Sequence, residues 1–129
     1  MVCADTSFMI ALECREQAAI ERLKQLEEEG ETVYTTTISV AELYLGAYSS
    51  KDRAKALKDA KSLLEMFAVL NLDYESAKTW AELAQATKSN TIGDRDLFIA
   101  SIVLANKQVL ITKNRKHFER IPGLQVEGW

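Results

Sequence analysis

Residues 94–112, DRDLFIASIVLANKQVLIT, carry the pattern that decides the fold. The first part, 94–105, is a helix pattern that is apolar on nearly every side, and 108–112 is a short, apolar strand pattern. A strand that is apolar throughout, rather than alternating, is typical of a parallel sheet that helices cover on both faces. This stretch therefore predicts a helix and a strand of a buried parallel sheet.

The same alternation of strands and helices extends over the rest of the chain. Strand patterns lie at 2–4, 32–37, 67–72 and 124–126, and helix patterns lie between 8 and 29 and at 38–48, 52–66 and 74–87. Strands separated by helices are joined by crossover connections, and right-handed crossovers build a parallel sheet. We predict an α/β fold, a three-layer α/β/α sandwich with a central parallel sheet of four to five strands.

Length and composition indicate a single domain over residues 1–129. A second domain would leave each half below an ordinary core size, and 47% hydrophobic with 27% charged residues is typical of a globular chain. Cys3 and Cys14 are too few for a disulfide framework, and no CxxC pair indicates a zinc site. No run of residues is long and apolar enough for a membrane span, and the first residues lack the positive segment of a signal peptide. We expect a cytoplasmic protein without a membrane partner.

Charge is divided unevenly along the chain. The formal net charge is −3, which by itself argues against general affinity for nucleic acid. Residues 1–43 hold nine acids and three bases, whereas 107–120 hold five bases and one acid. The basic segment could be a solvated helical face or the place where a polyanion binds. His117, the only histidine, lies in this segment, where a surface or phosphate-contacting role is more typical than that of a lone general base.

Two acidic residues follow predicted strands, and ligands of open parallel sheets bind outside the carboxyl ends of the strands. Asp5 comes directly after the first strand, where it could also cap the next helix. Glu42 is the only charge between 38 and 48, so burying it unpaired would be costly. It could also close a capping box with Ser39, in which its carboxylate would reach back to the Ser39 N–H. Each acid thus has a structural interpretation beside a functional one.

Further polar residues meet the same criterion in the second half of the chain. Asp94 and Asp96 open a predicted helix, where Asp94 could be the N-cap. Asp96 leads straight into the apolar part of that helix, so part of its surroundings should be buried. Thr112 and Asn114 end the fourth strand, in a position where ordinary turn chemistry also favours them.

The predicted fold brings these carboxylates to one edge of the sheet, where they would repel each other and some pKa values would rise. A divalent cation is the usual agent that offsets such repulsion. Oxygen ligands without His or Cys favour Mg²⁺ or Mn²⁺ over Zn²⁺. Such an ion can activate water and stabilise the charge of a phosphoryl displacement. The residues thus point to metal-dependent phosphodiester chemistry.

Three segments together resemble the PIN-domain ribonucleases, specifically the toxin component of VapBC-type toxin–antitoxin pairs. They are ADTSFMIAL at 4–12, SVAELYLGA at 39–47 and IGDRDLFIASIVLANKQVLITKNRKHFERIPGLQV at 92–126. The resemblance covers nearly the whole chain. The most specific part is Asp96 to Ala100, followed by the strand end Leu-Ile-Thr-x-Asn and by Phe-Glu-Arg-Ile.

The resemblance implies a Mg²⁺- or Mn²⁺-dependent endoribonuclease and assigns roles to particular residues. The implied metal ligands are Asp5, Glu42 and Asp96, with Asp94 as a further candidate, and the same three acids with Thr112 and Asn114 form the implied catalytic set. Many members have an acid where this chain has Asn114, which leaves open whether one metal ion binds or two. The implied substrate-binding residues are Thr6, Lys113, Arg115 and Lys116, and Thr6 and Thr112 match positions that orient Asp5 and a metal-bound water.

The resemblance also implies partners, and other interpretations compete with it. The expected partners are RNA, a small VapB-like antitoxin that would place an Arg or Lys among the acids, and a second copy of the chain in a homodimer. A catalytically silent PIN-like module that binds RNA or protein is the main alternative. A phosphoacceptor receiver domain is a weaker one, because that class needs an acid pair after the first strand and a Lys-Pro near the last, and neither is present.

Overall fold

The computed structural model describes residues 1–88 and 92–129, which form strands and helices in strict succession along the chain. The strands are β1 (Val2–Ala4), β2 (Val33–Thr36), β3 (Ala68–Leu70), β4 (Val109–Ile111) and β5 (Val126–Glu127). The helices are α1 (Thr6–Glu13), α2 (Gln17–Glu28), α3 (Thr37–Tyr48), α4 (Arg53–Leu64), α5 (Tyr74–Ala86), α6 (Asp94–Ala105) and α7 (Arg115–Phe118).

The strands form one parallel sheet in the order β3-β2-β1-β4-β5. Cys3 of β1 pairs with Tyr34 of β2 on one side and with Leu110 of β4 on the other. The chain therefore moves outward from β1 in one direction and later returns to add β4 on the opposite side. This reversal between β1 and β4 creates the crevice in which open parallel sheets bind ligands.

Helices cover both faces of the sheet. The residues of β1 point alternately to opposite sides, so they pack against both helix layers. Val2 and Ala4 join a buried cluster with Phe8, Leu26, Leu43 and Leu64, which come from α1 to α4. Cys3 lies in the other cluster, with Leu83 of α5 and Ile99 and Val103 of α6. The predicted three-layer α/β/α sandwich is confirmed, with five strands in its parallel sheet.

The predicted elements lie where the sequence placed them, but their ends differ in places. The strand predicted at 32–37 ends at Thr36, because the Thr36 side chain accepts a hydrogen bond from the Ser39 N–H (3.1 Å) and so caps α3. The strand predicted at 67–72 is only Ala68–Leu70. In the described part of the chain, every helix is too short or too polar to cross a membrane.

Candidate active site at the carboxyl edge of the sheet

Asp5 lies at the reversal point of the sheet and is buried. Its Oδ1 accepts hydrogen bonds from the Phe8 N–H (3.1 Å) and the Ser7 hydroxyl (2.6 Å), so it caps α1 as the sequence allowed. Its Oδ2 accepts a hydrogen bond from the Thr112 hydroxyl at 2.5 Å. Because Thr112 follows β4, this second bond joins the ends of the two central strands across the crevice, which a helix cap alone does not require.

The pKa of Asp5 is raised above its ordinary value, and burial is the main cause because it disfavours the ionised form. The hydroxyls of Ser7 and Thr112 and the Phe8 N–H work in the opposite direction, since they donate to the carboxylate. The negative charge of Asp96 raises the pKa further. Asp5 and Asp96 therefore act on each other electrostatically, although 91 positions separate them in the sequence.

Hydrogen bonds hold the segment that follows β4 against Asp5. Thr112 is fully buried, and its Oγ1 also accepts a hydrogen bond from the Asn114 N–H (3.0 Å). The Lys113 N–H donates to the Ser7 hydroxyl oxygen at 3.0 Å. The Asn114 side chain is exposed and does not cap α7, although Asn114 occupies the N-cap position. Thr112 thus contacts Asp5 directly, whereas Asn114 contributes its backbone.

Glu42 faces α1 rather than its own helix end. The Thr6 hydroxyl lies 2.7 Å from Glu42 Oε1 and 3.0 Å from the Ser39 Oγ. The capping box proposed between Ser39 and Glu42 is therefore wrong: α3 begins at Thr37, and the cap is formed by Thr36. The Oε2 of Glu42 lies 3.7 Å from Arg95 Nη1 at the start of α6. Thr6, which follows Asp5 in the chain, thus holds Glu42 beside the start of α1.

Asp96 also makes a contact that is unrelated to helix capping. Its Oδ2 lies 2.9 Å from His117 Nε2, and both side chains are partly exposed. Asp94 is exposed, and it is not the N-cap as the sequence suggested, because Gly93 has the extended backbone conformation of that position. Of the two acids in the first turn of α6, Asp96 is therefore the one that faces the crevice residues.

The predicted substrate-binding bases surround the same edge. Lys113, Arg115 and Lys116 are exposed and lie at or just beyond the end of β4. Arg115 Nε is 3.6 Å from Glu119 Oε1, one turn along α7. The three bases give the rim of the crevice a positive charge next to buried and half-buried acids.

The acids of the described residues are not gathered into one cluster. Across 1–88 and 92–129, no group of three or more His, Cys, Asp or Glu side chains has the spacing to hold a metal ion. Asp5 and Asp96 influence each other, while Glu42 faces the Arg95 guanidinium and Asp96 faces Nε2 of the His117 ring. The donors at the edge are oxygen atoms, the type that Mg²⁺ and Mn²⁺ prefer.

Sequence reasoning missed three side chains that take part in this arrangement. Ser7 bonds both Asp5 and the Lys113 backbone, and its position two residues after Asp5 was a usable signal. Arg95, which faces Glu42, lay between the two acids already singled out. The contact of His117 with Asp96 had no local signal, because 21 positions separate them.

Comparison with known proteins agrees with this fold. The PIN domain family matches residues 2–124. Ribonuclease VapC1 of Haemophilus influenzae strain R2866 is 33% identical over 128 residues, which are 97% of this chain and 95% of that protein.

Two solved structures are similar over the whole fold. The structure of VapBC2 from Rickettsia felis bound to a promoter DNA fragment has a TM-score of 0.93 at 26% identity, over 100% of this chain and 99% of the other. The structure of VapBC-1 from nontypeable Haemophilus influenzae has a TM-score of 0.89 at 31% identity, over 100% of this chain and 98% of the other. The resemblance predicted from the sequence is confirmed, and the chain belongs to the PIN-domain family.

Proposed function

We propose that the protein is a divalent-metal-dependent endoribonuclease and the toxin of a type II toxin–antitoxin pair. The observation that carries the proposal is the position of Asp5, buried at the reversal point of the sheet, bonded to Thr112 and in the field of Asp96. A carboxylate placed only to cap a helix needs none of these three features. The similarity to a ribonuclease VapC over nearly the full chain supports the reaction class.

Asp5 and Asp96 are the residues that would hold a Mg²⁺ or Mn²⁺ ion, and Glu42 would bind it or orient a water molecule. When bound, such an ion supplies Lewis-acid stabilisation of the scissile phosphate and lowers the pKa of bound water. Thr112 fixes the orientation of the Asp5 carboxylate through its 2.5 Å hydrogen bond. Thr6 fixes Glu42 in the same way, so we assign it to positioning Glu42 rather than to direct substrate contact.

The remaining predicted residues support the site from its rim. Lys113, Arg115 and Lys116 would attract the RNA backbone towards an edge that is itself negative. Asn114 supports the Thr112 turn through its backbone N–H. The resemblance implies an acid at this position in many members, so Asn114 would leave the metal site with fewer charges. Asp94 is exposed and ranks below Asp96 as a metal ligand.

The proposed partners are a VapB-like antitoxin and a second copy of the chain. The similar structures of VapBC2 and VapBC-1 support the antitoxin, which would place a cation where Arg95 and His117 now face the acids. For a homodimer, α3 offers Leu45 and Tyr48, which are 55% and 54% exposed. Leu43 of the same helix is buried in the core and is not part of this surface. The free, exposed Cys14 is compatible with the reducing cytoplasm that we propose.

Cleavage of labelled RNA with and without metal tests the proposal. Wild-type protein should cut internal phosphodiester bonds with Mg²⁺ or Mn²⁺, and EDTA should abolish cleavage. Asp96→Asn should lower the rate by more than about a hundred-fold, since loss of residues that only orient metal ligands already costs about 10- to 100-fold. Asp94→Asn, two positions away and exposed, is the matched control and should stay within a few-fold of wild type.

A catalytically silent PIN-like module is the second candidate. Asn114 favours it, as does the absence of a cluster of three acids among the described residues. It would bind RNA or protein through the basic rim without cutting. Metal-independent RNA binding, with no cleavage in either metal and no difference between Asp96→Asn and Asp94→Asn, would establish this module and refute the nuclease.

A further inference from the structure

An open cleft of about 440 Å³ lies beside the candidate active site. Its size falls within the range of about 300–1,000 Å³ that is usual for small-molecule sites. Three distant parts of the chain line it: the turn between α1 and α2, the segment after β4, and the segment after β5. The lining residues are Glu16, Thr112, Lys113, Arg115, Gly128 and Trp129.

The cleft adjoins the candidate site through two residues that bond to Asp5 or to its partner Ser7. Thr112 lines the cleft, and the same side chain donates to Asp5 Oδ2 at 2.5 Å. Lys113, which also lines it, is tied through its N–H to Ser7, a second partner of Asp5. A chain of nucleotides whose scissile phosphate lay at Asp5 would therefore place a neighbouring nucleotide in this cleft.

Trp129 is held in one orientation at the wall of the cleft. Its ring packs edge-to-face on Phe8, with the ring centroids 5.0 Å apart and the planes at 77°. Its indole N–H donates to Glu16 Oε1 at 3.0 Å. The indole is half-buried and borders the open space, so its orientation is fixed before any ligand arrives. A fixed, partly open aromatic ring is the type of surface on which nucleic-acid bases stack.

Two cations line the same cleft as the indole. Lys113 and Arg115 are both exposed and both line the cleft. Arg115 lies close to Gly128, because a Cβ at that position would be 3.0 Å from Arg115 Cδ. The glycine thus lets the Arg115 side chain pass the backbone next to Trp129. An aromatic ring beside positive side chains is the combination that binds single-stranded nucleic acid.

We propose that this cleft is a nucleotide subsite of the nuclease, in which Trp129 stacks on one base and Lys113 and Arg115 bind the adjoining phosphate. The inference rests on the proposed function for its ligand, single-stranded RNA. It assigns Trp129 to substrate recognition and Glu16 to holding the Trp129 indole, which the sequence had not indicated. Stacking accepts every base, so the subsite selects unpaired RNA rather than a particular sequence.

Intrinsic fluorescence tests the stacking directly, in EDTA so that RNA is not cut. The chain has two tryptophans, and the Trp80→Phe variant leaves Trp129 as the only one while keeping an aromatic ring on Phe98, its stacking partner. A short single-stranded oligoribonucleotide should quench Trp129 emission. An oligomer of the same length without bases should bind through its phosphates and leave the emission unchanged.

Binding of a fluorescein-labelled oligoribonucleotide, followed by anisotropy, measures the contribution of each wall. Trp129→Ala should weaken binding about ten-fold, within the range expected for one stacked base. Trp129→Phe keeps a ring against Phe8 and should retain most of the affinity. The control is Tyr74→Ala, which removes an aromatic ring on α5 that is 83% exposed and should not change the affinity. Glu16→Gln keeps an acceptor for the indole and removes a negative charge, so it should tighten binding several-fold at low salt.

Unchanged Trp129 emission, equal quenching by the base-free oligomer, or wild-type affinity in Trp129→Ala would each overturn the subsite. The cleavage assay separates this failure from failure of the nuclease. Metal-dependent cleavage with the same KM in wild type and Trp129→Ala leaves the nuclease standing and removes the subsite. Quenching by the oligoribonucleotide without any cleavage keeps a stacking site for RNA and removes the nuclease.

Discussion

Asp5 and Asp73 occupy equivalent positions and yet differ in burial and in the direction of their pKa shifts. Each follows a strand of the parallel sheet, has an extended backbone and caps the next helix by accepting the N–H three residues on, at 3.1 Å from Phe8 and 2.9 Å from Ser76. Asp73 is exposed, and the Ser76 N–H lowers its pKa. Asp5 is buried, and its pKa is raised.

The difference comes from position in the sheet rather than from the cap. β3, which precedes Asp73, is an edge strand, whereas β1 lies between β2 and β4 at the reversal point. Only at that point do segments from two directions converge, and there Thr112 and Asp96 reach Asp5. A cap stabilises a helix wherever it lies, but a carboxylate that is both buried and near another acid has an additional cost that a function must explain.

The largest difference between the two aspartates should be in RNA cleavage when each is replaced by asparagine. Asp5→Asn should lower metal-dependent RNA cleavage by more than about a hundred-fold, because a metal ligand contributes at least as much as the residues that orient it. Asp73→Asn, which keeps the cap at a strand end far from the crevice, should cleave like wild type. Circular dichroism should show both variants folded. Equal activity in the two proteins would mean that Asp5 is a cap and nothing more.

A smaller effect should follow from loss of the Thr112 hydroxyl, which donates to Asp5. Thr112→Val keeps the shape of the side chain and removes its hydrogen bond to Asp5 Oδ2, so the cleavage rate should fall about 10- to 100-fold. Thr112→Ser should restore most of the rate. Thr87→Val is the control, because that buried hydroxyl donates to the Leu83 carbonyl in the last turn of α5. A Thr112→Val protein as active as Thr87→Val would remove the second contact of Asp5 from the mechanism.

Most of the fold could be read from the sequence because the apolar periodicities are local. The patterns at 94–112 contain α6 and β4, and the order of elements follows from strands separated by helices. Asp5 was recognisable because it stands directly after a strand. Helix starts were less predictable. Ser39 and Glu42 match a capping box, but the Ser39 N–H donates to the Thr36 side chain instead of to Glu42.

The site was less predictable than the fold, because its contacts join residues that are distant in sequence. Thr6 meets Glu42 across 36 positions, and Trp129 meets Glu16 across 113. His117 was visible only as one histidine in a basic segment, whereas its partner Asp96 lies on another element. Such pairs depend on how helices pack over the sheet, and neither spacing nor residue type encodes that packing locally.

Thr6 gives a more moderate test of the crevice. Thr6→Val removes the hydroxyl 2.7 Å from Glu42 Oε1, so Glu42 should turn towards Arg95 and cleavage should fall about ten-fold. Thr6→Ser should keep the rate, since it keeps the donor. Arg95→Gln in the Thr6→Val background should recover part of it, because the competing cation is gone. If Thr6→Val cleaves at the wild-type rate, the link between Glu42 and Asp5 has no part in the reaction.

The smallest effect is on stability, and the two aspartates should show it with opposite signs in metal-free buffer. The raised pKa of Asp5 means that the folded state binds the proton more tightly than the unfolded chain, so this carboxyl favours folding at low pH, and its contribution is lost as pH rises through the folded pKa. At neutral pH, Asp5→Asn should therefore be more stable than wild type in urea titrations. That advantage should shrink as pH falls towards the unfolded pKa of about 3.9.

The lowered pKa of Asp73 gives the reverse, because its contribution is present above the unfolded pKa and is lost as pH falls through the folded one. Asp73→Ala should accordingly be less stable than wild type at neutral pH and approach it in acid. A destabilised Asp5→Asn protein at neutral pH would contradict the raised pKa and reduce the two aspartates to the same structural role.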